Sequence, residues 1–420
     1  MLDKNSDISG KREAGLRMRG RRLLISVSVF ILALLFSVAA DRVVGALLYR
    51  DVAGEGLVFP PLTEFRLQSA EFDCEVNINA LGFRDREFGQ KPEGRIRILA
   101  VGDSFTYGWG VEANQSWPKV LEARLRQLGH DVEVANLGKP GASPAGYAAI
   151  MGKAMPVLKP DLVIVGILQG EDLAQTRLEA SINSSARLPD GRQPAAIMRL
   201  GLRERVGNVG RLMYPNLLRL MGKLHHAQPS LSRHWKSEAQ AIVEMLTPQE
   251  QARFDGLDAQ VKRAFLNGEL NPSLIQTSMK LPRYFLDTFR ADKPEIQSLI
   301  STVAGSLADI KRMAGRYGCE VIVVSVPLKV YASREELESC RRLGFELIPE
   351  MAESDSPDRA IEAACRMAGV QFINVTEEFR KAANGTHLFY EMDGHFNPAG
   401  HRVFAELFTP RLLQQWHDAN

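Results

Sequence analysis

The chain has 420 residues, 45% of them hydrophobic, and 52 Lys and Arg against 50 Asp and Glu leave a net charge of +2. That length and composition accommodate an ordinary catalytic domain plus an extra element and exclude a mainly disordered chain. The near-neutral balance excludes a nucleic-acid partner, and four scattered cysteines, Cys74, Cys319, Cys340 and Cys365, lack the CxxC spacing of a zinc or dithiol centre. They read as small core residues, of which one pair could be bridged in an oxidising compartment.

Residues 1–22 carry Lys4, Lys11, Arg12, Arg17, Arg19, Arg21 and Arg22, and an uncharged run from Leu23 to Ala40 follows. At ~1.5 Å per residue that run spans roughly 27 Å, enough to cross a thin bilayer. The basic cluster ahead of it predicts a cytoplasmic N-terminus, a single pass at 23–40 through the cytoplasmic membrane, and an extracytoplasmic remainder. Ser37-Val38-Ala39 and Val38-Ala39-Ala40 would also suit a signal peptidase. The run exceeds the usual h-region of ~7–15 residues, which favours an uncleaved anchor.

Residues 41–94 read as a connecting, lead-in segment. From 95 to 420 short β-branched runs alternate with helical stretches, the pattern of a mostly parallel five-stranded sheet in a three-layer α/β/α domain. The strands are expected at Arg95–Val101, Val132–Asn136, Leu162–Ile167 and Glu320–Val326, with a weaker one at Val370–Val375. Helices are expected at Trp117–Leu128, Ala145–Leu158 and Ile296–Tyr317, and a last one begins near Pro398. Between the third and fourth strands, 176–293 reads as a helical insertion in which Thr247-Pro248-Gln249-Glu250 forms a helix start. Its stretch Met198–Lys223 is basic and amphipathic; a helical cap with a solvated basic face is favoured over a surface that rests on anionic lipid or admits an acyl chain.

Gly102-Asp103-Ser104-Phe105-Thr106-Tyr107-Gly108 directly follows the first strand. In an open parallel sheet ligands bind beyond the carboxyl ends of the strands, where a serine on the turn into a helix exposes its hydroxyl. Gly-Asp-Ser alone is common turn composition. A second cluster, Asp393-Gly394-His395 before the last helix, supplies what a serine nucleophile needs, a base and a carboxylate to orient it. Residues two apart in an extended loop point to the same side, so Asp393 can meet one ring nitrogen of His395 while the other faces Ser104. Of the remaining histidines, His401 sits one turn into the final helix and reads as packing or capping.

At these residues the sequence resembles the SGNH/GDSL hydrolase superfamily from about Arg95 onward, the insertion apart. Its first block matches Gly102-Asp103-Ser104. Its second matches Asn136-Leu137-Gly138-Lys139-Pro140-Gly141, so the resemblance makes Gly141, with Ser104, a backbone N–H donor to the oxyanion. Its third, normally Gly-x-Asn-Asp, aligns with Gln169-Gly170-Glu171-Asp172. There an ionised Glu171 has no proton to give in place of the family's asparagine amide, which leaves Gln169 as a substitute donor, or Ser104 and Gly141 alone. Glu171 otherwise reads as a strand-end surface residue. The spacing Asp393-x-His395 is similar to a subgroup that includes alginate-type O-acetyltransferases and other exported polysaccharide-modifying proteins.

The resemblance implies acyl transfer through Ser104, His395 and Asp393 with no metal or other cofactor. The substrate it implies, together with the anchor, is an O-acetylated envelope or exported glycan, with a lipid ester next. Two further readings stay open: a catalytically impaired glycan-binding module, and an accessory subunit partnered with a multi-span membrane acyltransferase. The lead-in Val76–Asp85 resembles that of exported bacterial members; within it Arg84 reads as an ion-pair partner of Asp85 or Glu87, ahead of a contact to an anionic substrate.

Overall fold

The computed structural model describes residues 25–43, 56–185, 214 and 231–419. The basic cluster of residues 1–22 and, Tyr214 apart, the amphipathic stretch Met198–Lys223 lie outside the described residues. The chain divides into two units, residues 1–52 with 195–226, and residues 53–194 with 227–420. In the first, Ile25–Val43 is a helix long and apolar enough to cross a membrane, and Phe30, Leu32, Leu35 and Phe36 on it are exposed.

Among its described residues the second unit has seven strands, β1 (Glu64–Gln68), β2 (Asp73–Asn77), β3 (Ile96–Val101), β4 (Val132–Asn136), β5 (Leu162–Leu168), β6 (Glu320–Val326) and β7 (Gln371–Ile373). The last five form one parallel sheet in the order β4-β3-β5-β6-β7. Side chains alternate across a strand, so each strand feeds two cores. Ile98, Val134, Ile164 and Val324 meet Trp117–Gln127 and the final helix Pro398–Ala419 on one face. Leu99, Ala135, Val163 and Val323 meet Pro144–Leu158, Pro294–Gly315 and Ser356–Ala368 on the other. Both faces are therefore covered, which is why the strands read as continuous apolar runs rather than as alternation.

The lead-in is more than a connection. Strands β1 and β2 pair antiparallel as a hairpin whose Leu67, Cys74 and Val76 pack with Tyr107 and Trp235. The expected ion pair of Arg84 is also absent: its guanidinium is buried and donates to the carbonyls of Gly108, Glu75 and Val111 at 2.7–2.8 Å. It clamps the segment after Ser104 through its two terminal nitrogens, while Nε has no partner among the described residues. Asp85 instead faces Lys119.

In the described part of the insertion, helices Leu231–Glu244, Pro248–Asp255, Ala259–Asn267 and Pro272–Lys280 share the first face's core through Ile242, Phe254, Phe265 and Ile275. Thr247 caps the second of these reciprocally, accepting from Glu250 N at 3.4 Å while Glu250 accepts from Thr247 N at 2.8 Å. Residues 281–293 turn rather than continue helical.

The order of strands places the site. From β3 the chain goes first to β4 on one side and then to β5 on the other, so the carboxyl end of β3 is the point where the winding reverses and a crevice opens. Gly102-Asp103-Ser104 sits there.

Candidate active site

Ser104 opens a one-turn helix, Ser104–Tyr107, whose preceding Asp103 accepts from Phe105 N at 2.9 Å. The turn is tight enough that a Cβ on Gly102 would lie 2.1 Å from Thr106 Oγ1 and 2.9 Å from Gly166 O, so only glycine fits. Gly138, after β4, is required for the same reason, since its Cβ would lie 2.1 Å from Tyr107 N.

The tail of the chain meets this turn. His395 Nε2 lies 2.7 Å from Ser104 Oγ, and His395 Nδ1 lies 2.5 Å from Asp393 Oδ1. The loop carrying them is pinned by Tyr390 N to His395 O at 2.9 Å and by Asn397, which accepts from Gly400 N at the start of the last helix. Phe105 and Trp109 flank the imidazole with ring centroids 4.9 and 5.8 Å away. Burial alone pulls His395 toward the neutral form; the Asp393 carboxylate outweighs it, with Asp103 and Glu171 behind, and the net shift is upward. His401 takes no part: it accepts from Trp117 N at 3.2 Å, and burial lowers its pKa to about 3, keeping it neutral.

Two groups that sequence reasoning did not find hold Asp393. Trp109 Nε1 donates to its Oδ2 at 3.3 Å, and Glu71, in the turn between β1 and β2, accepts from the backbone N–H groups of Met392 and Asp393 at 2.7–3.1 Å. No local motif announces either, because each acts across more than 280 residues of chain.

The expected oxyanion donors separate. Gly141 lies in an exposed turn closed by Ala142 N to Lys139 O, with φ +70°, and is not among the residues lining the cavity at Ser104. Gln169 is committed elsewhere: fully buried, it donates to Asp358 Oδ1 and Thr376 Oγ1, both at 2.8 Å, and accepts from Leu328 N. Both amide protons are spent, so it does not substitute as a donor. Glu171 is half-buried rather than exposed. It lines the cavity with Ser104 and His395 and accepts on Oε1 from Tyr284 Oη at 2.9 Å and Gln175 Nε2 at 3.3 Å. Burial raises its pKa to about 7, so it is not the fixed anion expected from sequence.

That cavity has a volume of about 100 Å³, and its other walls are mainly apolar, with Leu168, Leu274, Phe285, Leu328, Leu343 and Phe345. Groupings of three or more His, Cys, Asp and Glu suited to a metal ion are absent among the described residues.

A serine, a histidine and an aspartate in hydrogen-bonded sequence at the reversal point of a parallel sheet form the arrangement that a serine nucleophile requires. The chain belongs to the SGNH/GDSL hydrolases: residues 100–212 match the GDSL-like lipase/acylhydrolase family, and residues 285–419 match the SGNH hydrolase-like domain of acetyltransferase AlgX. Esterase TesA of Pseudomonas aeruginosa is 32% identical over 93 residues, a match covering 21% of this chain and 46% of TesA, so the chain spans about half the length of that relative. Among solved structures, TesA aligns with TM-score 0.34 and 14% identity over 75% of this chain and 97% of its own. A variant of the acetyl xylan esterase Axe2 of Geobacillus stearothermophilus aligns with TM-score 0.35 and 12% identity over 75% and 93%.

Proposed function

We propose that this chain is a membrane-anchored serine esterase or O-acyltransferase whose catalytic residues are Ser104, His395 and Asp393. The observation that carries the reading is the 2.7 Å approach of His395 Nε2 to Ser104 Oγ, with Asp393 on the far ring nitrogen. In the first half-reaction Ser104 Oγ bonds to the ester carbonyl carbon, its proton passes to His395 Nε2, and the carbonyl electron pair moves onto oxygen. Collapse expels the alcohol, which leaves with the proton from His395, and Asp393 holds the imidazole in the tautomer both steps need. In the second half-reaction water or a sugar hydroxyl gives its proton to His395 and attacks the acyl carbon, and Ser104 recovers a proton as it leaves. The oxyanion forms against the backbone N–H of Ser104; Gly141, the second donor that the resemblance implies, does not line this cavity.

The acetyltransferase match over residues 285–419 supports an O-acetylated envelope or exported glycan as substrate, ahead of a lipid ester. The apolar helix Ile25–Val43 supports a single-pass anchor with the domain outside the cytoplasmic membrane. There the chain would take acyl groups from, or work beside, a multi-span membrane acyltransferase. Ser104→Ala and His395→Ala should each lower p-nitrophenyl acetate turnover by about 10⁶-fold and abolish labelling by a fluorophosphonate probe while the fold persists. Retained rate in either variant refutes the assignment, and mass spectrometry of envelope glycans from a deletion strain identifies the acceptor.

A further inference from the structure

We propose that Glu171, in its neutral acid form, donates its carboxyl O–H to the oxyanion that forms when Ser104 attacks an ester. The inference rests on the serine-acylation reading and adds a catalytic residue to it.

Placement comes first. Gly170, at φ +69°, turns the chain sharply at the end of β5, and a Cβ there would lie 2.6 Å from Tyr331 Oη, so the approach of Tyr331 fixes the turn. The turn delivers the Glu171 side chain into the same small cavity as Ser104 and His395. The other side-chain amide near this strand end, Gln169, has both its N–H groups bound to Asp358 and Thr376.

Hydrogen bonding then divides the two carboxyl oxygens. Tyr284 and Gln175 both donate to Oε1, while Oε2 makes no hydrogen bond among the described residues. An oxygen receiving two donors is the natural carbonyl of a carboxylic acid, and the other oxygen then carries the proton and requires an acceptor. A substrate carbonyl is a weak acceptor; the tetrahedral intermediate makes it a full anion. The bond therefore strengthens as charge develops, which is the condition for lowering a barrier rather than merely binding substrate. An ionised Glu171 in the same place would repel the oxyanion.

The surroundings hold the neutral form. Burial pushes the Glu171 pKa up to about 7, opposed by the Tyr284 hydroxyl, and the Asp103 carboxyl adds to the rise. Asp172, beside it, is held by Tyr147 Oη and Leu168 N, and burial raises its own pKa. The Tyr331 hydroxyl, buried and with no partner among the described residues, carries no charge. Two cations face this region. His395, whose pKa the Asp393 carboxylate raises against burial, has that carboxylate bound behind it, and Lys329 is tied to Glu336 and to the carbonyls of Tyr390 and Glu391.

The test uses the full chain in detergent micelles, with p-nitrophenyl acetate as substrate and a fluorophosphonate as active-serine probe. The wild-type rate should trace a bell against pH, with an ascending limb set by His395 and a descending limb near neutrality set by Glu171. Glu171→Gln, which keeps an acceptor for Tyr284 and offers an amide N–H at every pH, should stay within about 10-fold of wild type and lose the descending limb. Glu171→Ala should lower kcat by about 10²–10³ with KM nearly unchanged. If Glu171→Ala fails to fold, the Glu171→Gln profile decides. A protein that labels at Ser104 while Glu171→Gln retains the descending limb, or while Glu171→Ala keeps wild-type kcat, overturns the role of Glu171 alone. A wild-type chain that neither labels nor releases p-nitrophenol overturns the serine reading and this one with it.

Discussion

Glu71 Oε2 accepts the backbone N–H of Asp393 at 2.7 Å, joining a hairpin turn to the loop of the proposed triad across 322 positions of sequence. Glu71 also accepts from Met392 N through both oxygens, so one carboxylate fixes Asp393, the proposed triad aspartate, and the residue before it. Burial raises the Glu71 pKa, and the two backbone donors oppose that rise. Glu71→Gln keeps the shape but turns an NH₂ group toward backbone donors on one side. Displacing catalytic geometry by about 1 Å can cost 10²-fold. Glu71→Gln is expected to lower kcat by about 10–100-fold with KM unchanged, because Glu71 holds Asp393 and not substrate. A KM effect without a kcat effect would contradict that role.

Trp109 supplies the other restraint on Asp393, through Nε1 to Oδ2. Trp109→Phe keeps an aromatic ring beside His395 and deletes the donor. A hydrogen bond to a charged group is worth about 1.5–3 kcal/mol. Loss of that size from the transition state would lower kcat by about 10–100-fold, whereas a purely packing role would leave kcat close to wild type and lower only the melting temperature.

Gln169 separates structure from catalysis. Its amide serves Asp358, Thr376 and Leu328 in a buried network, with none of its protons free for substrate. Gln169→Ala leaves buried polar groups unpaired at about 1–3 kcal/mol each. The expected result is a lower denaturation midpoint with kcat per folded molecule within about 3-fold of wild type. A selective loss of kcat at unchanged stability would return Gln169 to the oxyanion hole.

The contrast between Gln169 and Glu171 shows where sequence reading reached its limit. Strands β3 to β6 were legible because burial on both faces forces unbroken β-branched runs, and the candidates Ser104 and Asp393-x-His395 were legible because each sits in its own short motif at a loop. Which residue of Gln169-Gly170-Glu171 faces the serine was not. Gln169 is captured by Asp358 and Thr376, 189 and 207 positions away, and Glu171 is held by Tyr284, 113 positions away. The hairpin of β1 and β2 was missed for another reason. Glu64–Gln68 and Asp73–Asn77 are short, half-polar alternations joined by Ser69-Ala70-Glu71-Phe72, without the Asn-Gly or Asp-Gly turn that usually marks a hairpin.

Stability against pH probes the same carboxyl group without any substrate. Glu171, with its pKa raised from 4.5 to about 7, keeps a proton that the unfolded chain has already released. The folded state therefore binds more protons, and stability falls as pH rises through that window. His395, also raised, acts in the same direction above its ordinary value of 6.5. His401, lowered to about 3, acts oppositely between pH 3 and 6.5, where only the unfolded chain takes up its proton. The His401 contribution fades above pH 6.5 as the unfolded imidazole loses its proton, and the melting temperature should decline from there to pH 8. Glu171→Gln should reduce that decline, and an unchanged slope would place the Glu171 pKa near its ordinary value.

Acyl-chain preference follows from the walls of the cavity at Ser104. A volume of about 100 Å³ closed by Phe285, Phe345, Leu274 and Leu343 suits a short acyl group such as acetyl and leaves a long chain outside. Each methylene that does find apolar cover gains about 0.8 kcal/mol, or roughly 4-fold in kcat/KM. Wild type should therefore gain little between p-nitrophenyl acetate and the octanoate, whereas Phe345→Ala opens space and should raise the octanoate-to-acetate ratio of kcat/KM by about 10-fold or more. The ratio is taken within one variant, so the few kcal/mol of stability lost on truncating a buried phenylalanine cancel. Leu274→Trp should move the ratio the other way by filling the cavity. A wild-type ratio already as high as that of Phe345→Ala would mean that these side chains do not bound the acyl group.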